Sequence, residues 1–186
     1  MHSLKQLIPI DLLDHKGTPL SITFIYGQPE LSKREKVWLE LKHLKYLART
    51  NWLCIGDFNQ IISEEDKFAF LDRKIMGADI FQQTLNELGL CELEAKGQKY
   101  TWMNKREDES FVMERLDSAF TSVDWIYSYP QYALHNQPIL RSDHGAILLD
   151  FEIQHPFKRR TFRFKKMWTT HKECESVVQE AWKSNT

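Results

Sequence analysis

The apolar positions of this chain change period several times along its length, and each change predicts an element. Residues 8–13 and 20–26 read as two strands, with Asp14-His15-Lys16-Gly17 as the hairpin turn between them. Ser32-Lys33-Arg34-Glu35 has the spacing of a capping box, in which Ser32 accepts from backbone amides and Glu35 reaches back. Behind it Trp38, Leu41, Leu44 and Ala48 fall on one helical face. Trp52-Leu53-Cys54-Ile55 is short and wholly apolar, the pattern of a strand buried on both faces, and it runs into Gly56-Asp57. Residues 78–88 predict a second helix that buries Phe81, Leu85 and Leu88 and stops at a left-handed Gly89. Further strands are expected at 91–93, 100–102, 112–120, 132–134 and 146–153, with the polar stretch 104–110 as a hairpin connection. This order favours an α/β sandwich over a doubly wound parallel sheet.

The tail has a different character. Lys158, Arg159, Arg160, Arg163, Lys165 and Lys166 crowd nine positions, with Phe162 and Phe164 between them. Trp168, Val178 and Trp182 beyond them predict a last amphipathic helix. The boundary falls near His155-Pro156, giving a core of residues 1–155 and a basic linker with a C-terminal helix over 156–186. The basic run has two readings: a grip on nucleic-acid backbone with the two phenylalanines against a strand, or a solvated linker face.

Composition narrows the class. A chain of 186 residues with 42% hydrophobic and 27% charged side chains can build a real core. A formal net charge of −1 means that a nucleic-acid partner needs a local basic surface. Cys54, Cys91 and Cys174 are odd in number and far apart. They argue against a zinc site, a disulfide framework or a disulfide-linked partner, and for a reducing, intracellular compartment. No apolar run reaches membrane-spanning length, so no membrane partner is expected.

Three polar segments carry the candidate chemistry: Gly56-Asp57-Phe58-Asn59, Arg115-Leu116-Asp117 and Ser142-Asp143-His144. If the extended conformation persists past Ile55, Asp57 and Asn59 project to one side, where a carboxylate and an amide can position a water or a phosphate. The bland alternative is a turn. His144 can bind a phosphoryl oxygen or exchange a proton, or it can be a satisfied structural group. Asp143 can bind a metal or a water. Asp117 can fix the tautomer of His144 or form a surface ion pair with Arg115.

Tyr26-Gly27 with these three segments, in this order, resembles the endonuclease/exonuclease/phosphatase superfamily, magnesium-dependent phosphodiesterases with a DNase I-like β-sandwich flanked by helices. Gly97-Gln98-Lys99-Tyr100-Thr101-Trp102, Leu88-Gly89-Leu90 and the tail motif Phe162-Arg163-Phe164-Lys165-Lys166-Met167-Trp168 resemble the endonuclease domain of plant LINE-type retrotransposon polyproteins. The resemblance implies that Asp57 orients the attacking water and Asn59 holds the scissile phosphate. His144, hydrogen-bonded to Asp117, would contact that phosphate, Tyr26 would supply a hydroxyl near it, and Asp143 would lie near the metal and support His144. The resemblance makes DNA the partner, Mg the cofactor and the nucleus a location for the reaction; Lys158, Arg159, Arg160 and Arg163 are the candidate nucleic-acid contacts on the first of the two readings of the basic run.

Two departures qualify this. The family's metal-binding Asn and Glu lie upstream of the segment matching Tyr26, which only 25 residues precede here, and Asp11 and Asp14 belong to the hairpin. The expectation is an incomplete sandwich without its front strands, with open edges, an exposed apolar face and impaired catalysis. Ser118 also stands where relatives usually continue with arginine. Two functions follow: a DNA endonuclease-type hydrolase, or a catalytically inactive retrotransposon-derived fragment that at most binds nucleic acid weakly.

Overall fold

A computed structural model describes residues 6–70, 75–152 and 174–183. The chain divides into two compact units, Met1–Ile153 and Gln154–Thr186. In the second, the described residues form one helix, Cys174–Lys183. The basic run Lys158–Lys166 and Trp168 lie outside the described residues.

The first unit is built on a five-stranded sheet. β1 (Leu7–Leu13) and β2 (Pro19–Tyr26) form the expected hairpin; Asp14 accepts from Gly17 N, and Gly17 takes φ +80°. β2 lies parallel to β3 (Trp52–Asp57), and β3 lies antiparallel to β9 (Asp117–Ser122), which pairs with β5 (Leu90–Glu92). Side chains alternate between the two faces of this sheet. Ile25, Trp52, Cys54 and Phe120 point to one face, where α1 (Leu31–Lys45) adds Val37, Trp38 and Leu41 and α2 (Ala78–Leu88) adds Phe81, Leu85 and Leu88. The Trp38 and Phe81 rings stack at 4.6 Å, and Phe58 meets Phe120 edge to face at 4.9 Å. Leu20, Leu53 and Ala119 point to the other face. They meet Trp125 of α3 (Val123–Ser128) and Leu134 of a second sheet of β11 (Ile147–Asp150), β10 (Ala133–Asn136) and β6 (Ala95–Gly97). A third small sheet joins β4 (Lys67–Ala69), β8 (Val112–Glu114) and β7 (Trp102–Met103).

Two sequence expectations are corrected. Ser32 forms no capping box: α1 starts one residue earlier, with Glu30 as an N-cap that makes no side-chain cap bond. The box appears instead at Ser63, whose amide donates to Asp66 at 3.1 Å. The single strand expected at 112–120 is two strands in different sheets. Arg115 N turns to Asp66 O at 2.9 Å and Leu116 O accepts from Phe58 N, so β8 and β9 part company between them.

β1 is an edge. Its partners across the ladder place Ile8, Ile10 and Leu12 on the face that also carries Leu20, Ile22 and Phe24. Ile8, Ile10, Leu12 and Phe24 stay exposed there. The bond from Tyr26 N to Gln6 O makes Gln6, Ile8, Ile10 and Leu12 the hydrogen-bonded positions of the antiparallel pair. Pro9 therefore turns its nitrogen, which has no proton, to the outside.

Two glycines let strand ends approach. At Gly56 (φ +142°) an added Cβ would stand 2.2 Å from Ile25 O, and at Gly27 one would stand 2.1 Å from Phe58 O. Both obstacles are backbone. Gly56→Ala is expected to destabilise the fold by about 3 kcal/mol, because two paired strands must part. Thermal unfolding of this variant beside Gly17→Ala, whose Cβ meets nothing within 4 Å, isolates the packing cost from the cost of positive φ.

Candidate active site

Register assembles the site. Tyr26 of β2 lies beside Asp57 of β3, and Asp57 lies opposite Asp117 of β9. All three fall on the sandwich face, one row at one end of the sheet. β3 reaches Asp57 because Gly56 allows the backbone to keep pairing where a side chain would collide. Past Asp57 the chain turns sharply, with Asn59 at φ +50°. Asp57 Oδ1 accepts from Asn59 N at 2.8 Å, and its Oδ2 accepts from Asn59 Nδ2 at 2.8 Å. Asn59 Nδ2 also donates to Gly27 O at 3.0 Å, and Gly27 N donates to Asp57 O at 2.6 Å. The Tyr26-Gly27 and Asp57-Asn59 segments are thus stitched together. The turn reading of Gly-Asp-Phe-Asn and the site reading describe one object.

His144 closes the row. Its Nδ1 lies 2.9 Å from Asp117 Oδ2, the geometry in which Nδ1–H donates to the carboxylate and leaves Nε2 for a ligand. Asp117 is not the partner of Arg115. Arg115 binds Asp66, with Nη2 2.7 Å from Oδ1, and also binds Glu92, to which Ser118 Oγ donates at 3.4 Å. Arg115 and Asp117 point to opposite sides of the sheet's end because Leu116 carries the backbone between two sheets.

Thr101 and Trp102 hold the His144 segment, and no local pattern in the sequence announces this. Thr101, 1% exposed, accepts from Asp117 N through Oγ1 at 2.9 Å and from Gly145 N through its carbonyl at 2.7 Å. Trp102 bridges to His144 through the backbone, and its indole N–H reaches Asp143 Oδ2 at 3.3 Å. Both residues lie about forty positions from the loop they brace, so only their place in the family-like motif hinted at them. Asp143 is directed at Trp102 and Ser142, and it is Asp117 that holds the imidazole. Tyr26 is exposed at the mouth.

Burial dominates the electrostatics of Asp57. It pushes the carboxyl up to about 6; the Asn59 amide opposes this, the Asp117 charge adds to it, and His144 and Arg34 oppose it. His144 moves upward chiefly through its bond to Asp117. The exposed Asp143 is held below its ordinary value by hydrogen bonds, its own backbone first and Trp102 next. A titratable carboxyl near neutrality beside a cation-prone imidazole can pass a proton and hold an anion. Among the described residues no group of three or more His, Cys, Asp or Glu is placed to hold a metal ion. Both oxygens of Asp57 accept from Asn59 and Asp117 Oδ2 binds His144, while Asp143 accepts from Trp102 and Ser142 at 3.3 Å each and is the exposed one of the three carboxylates.

The architecture matches solved structures. The endonuclease domain of TRAS1, a telomere-specific non-LTR retrotransposon, superposes with a TM-score of 0.62 at 17% identity, over 81% of this chain and 65% of that one. A 3'-5' exonuclease (NExo) from Neisseria meningitidis gives 0.54 at 17% identity, over 72% of this chain and 62% of that one. The 3' phosphatase NExo from Neisseria bound to a product DNA hairpin gives 0.55. No family model and no curated protein matches. The fold is therefore the DNase I-like fold of the endonuclease/exonuclease/phosphatase proteins, and the chain spans somewhat under two thirds of these domains' length.

Two outcomes follow from the charges. The protonated form of Asp57 suits the fold, so its contribution is full below pH 3.8 and lost as pH rises through about 6. Asp57→Asn is expected to raise stability at pH 8 by about 1 kcal/mol, discounted for partial exposure and one lost acceptor, with the gain fading as pH falls through about 6 and gone by pH 3.8; urea unfolding at the two ends of this range checks it. The His144 contribution has its full value below pH 6.5 and fades as pH rises through the raised folded value. Asp117→Asn should bring the ring's midpoint down toward 6.5, read from its NMR titration.

Proposed function

We propose that this rim hydrolyses phosphodiester bonds in DNA, in a magnesium-dependent, endonuclease-type reaction of the retrotransposon kind. The observation that carries the reading is the row Tyr26–Asp57–Asp117 closed by His144 at 2.9 Å. It gathers a proton acceptor, an oriented imidazole and a hydroxyl at one open edge. Nucleases and a DNA-bound phosphatase among the structural neighbours support the same chemistry.

Each residue then has a task. Tyr26 holds the scissile phosphate with its hydroxyl, and Asn59, whose two side-chain N–H groups go to Gly27 O and Asp57 Oδ2, reaches it by releasing one of those bonds. Ionised Asp57 takes the proton of the attacking water as the water oxygen bonds to phosphorus and the ester P–O bond breaks, the leaving alkoxide taking a proton from solvent. His144, whose protonated form is favoured by Asp117, sets its Nε2–H against the charge that grows on the phosphoryl oxygens when it carries that proton. Asp143, the exposed one of the three carboxylates, would offer a ligand position to Mg²⁺, which when bound would neutralise phosphate charge as a Lewis acid. That only one of the three carboxylates is exposed also favours a second reading, a retrotransposon-derived domain that retains the fold and binds nucleic acid without cutting it.

Supercoiled plasmid separates the two. The first reading expects conversion to open circle in Mg²⁺, none in EDTA, and a loss of about 100-fold or more with His144→Ala. No nicking by the folded chain, with retained gel-shift of the plasmid, selects the second.

A further inference from the structure

Arg34 stands in neither list of roles, yet its hydrogen bonds join the two segments that make the site. It projects from the first turn of α1 and is half-buried. Its Nε donates to Gln28 O at 2.9 Å and its Nη2 to Pro29 O at 2.9 Å, directly after Tyr26-Gly27. Its Nη1 donates to Gln60 Oε1 at 2.7 Å, directly after Asn59. Gln60, 4% exposed, is itself fixed: its Nε2 donates to Ile61 O at 2.9 Å and to Met76 O at 3.2 Å. One planar guanidinium therefore spans the loop that follows β2 and the loop that follows β3, using the fork geometry that a lysine lacks.

We propose that Arg34 is a positioning residue for the candidate site: it locks the Tyr26 loop to the Asp57–Asn59 loop and sets a fixed positive charge beside Asp57. Three features carry this. Both loops end strands that pair in parallel, Tyr26 beside Asp57, so a brace between the loops controls the spacing of the phosphate-facing side chains. The brace is anchored on a helix packed in the core through Val37, Trp38 and Leu41. The charge is felt where it matters. The charged groups that act on Asp57 are Asp117 from β9, His144 from the loop before β11 and Arg34 from α1; Arg34 also feels the charge of Glu114 of β8, which pairs with Lys67 of β4 at 2.9 Å. Arg34 and His144 are the cations that favour an ionised Asp57 against burial and the Asp117 charge.

In its use of Asp57 as proton acceptor this inference rests on the proposed function, and its test is separable from that function. The side-chain carboxyl of Asp57 is titrated by ¹³C NMR in the wild-type chain, Arg34→Gln and Arg34→Lys, with Asp57→Asn to assign the signal. Arg34→Gln should raise the midpoint by about half a unit. Arg34→Lys should raise it less, since the ammonium keeps the charge and cannot reach both loops. An unchanged midpoint in either folded variant overturns the proposal, so Arg34→Lys decides if Arg34→Gln does not fold. If the wild type nicks plasmid, the acid limb of its pH–rate profile should move upward by the same amount as the NMR midpoint, a shift that general loosening does not give. If it does not nick, the proposed function fails while the titration still judges Arg34.

Discussion

The register of β3 between its two neighbours is the constraint on which the site depends. Parallel pairing with β2 and antiparallel pairing with β9 bring Tyr26, Asp57 and Asp117 to one level. A slip of one residue in either ladder would send one of them to the helix-covered face. What prevents the slip is hydrophobic: Trp52 and Cys54 belong under the helices, Leu53 belongs in the sandwich, and an exchange would leave both cores wrong. The placement of the polar row is thus enforced by the apolar rows behind it. Gly56 and Gly27 complete the device by removing the side chains that would hold the strand ends apart.

The same arrangement makes the site costly. Burial works against ionised Asp57, and Asp117 adds a second negative charge opposite it. The compensation comes from separate parts of the chain: an amide two residues on, an imidazole from the loop before β11 and a guanidinium from α1. No short segment contains the balance, which exists only once the sheet has closed.

That explains which parts were legible in the sequence. Helix α2 was readable to its ends because Phe81, Leu85, Leu88 and the left-handed Gly89 are local signals. The hairpin of Asp14–Gly17 and the strand entering Gly56-Asp57 were readable for the same reason. The capping box at Ser32 was misread because the helix starts at Leu31, which puts Ser32 inside the first turn and leaves the cap position to Glu30. The strand over 112–120 was misread because β propensity says nothing about which sheet a residue joins; the turn at Arg115 is dictated by Asp66, 49 positions away. The short strands β4 and β6 and the brace at Thr101 depend on distant partners in the same way. The motifs named the residues that meet, while their mutual support was visible only in three dimensions.

Pro9 gives the exposed hairpin a directional property. Backbone on the outer side of β1 presents carbonyls but lacks one N–H in the middle of its run, so a continuous new strand cannot zip onto it without losing a rung. The side chains of Ile8, Ile10, Leu12 and Phe24 remain available from above the sheet. This hairpin therefore accepts a cover and refuses an extension: it can be roofed by packing, while the templated, edge-to-edge growth that leads to fibres is interrupted at its centre.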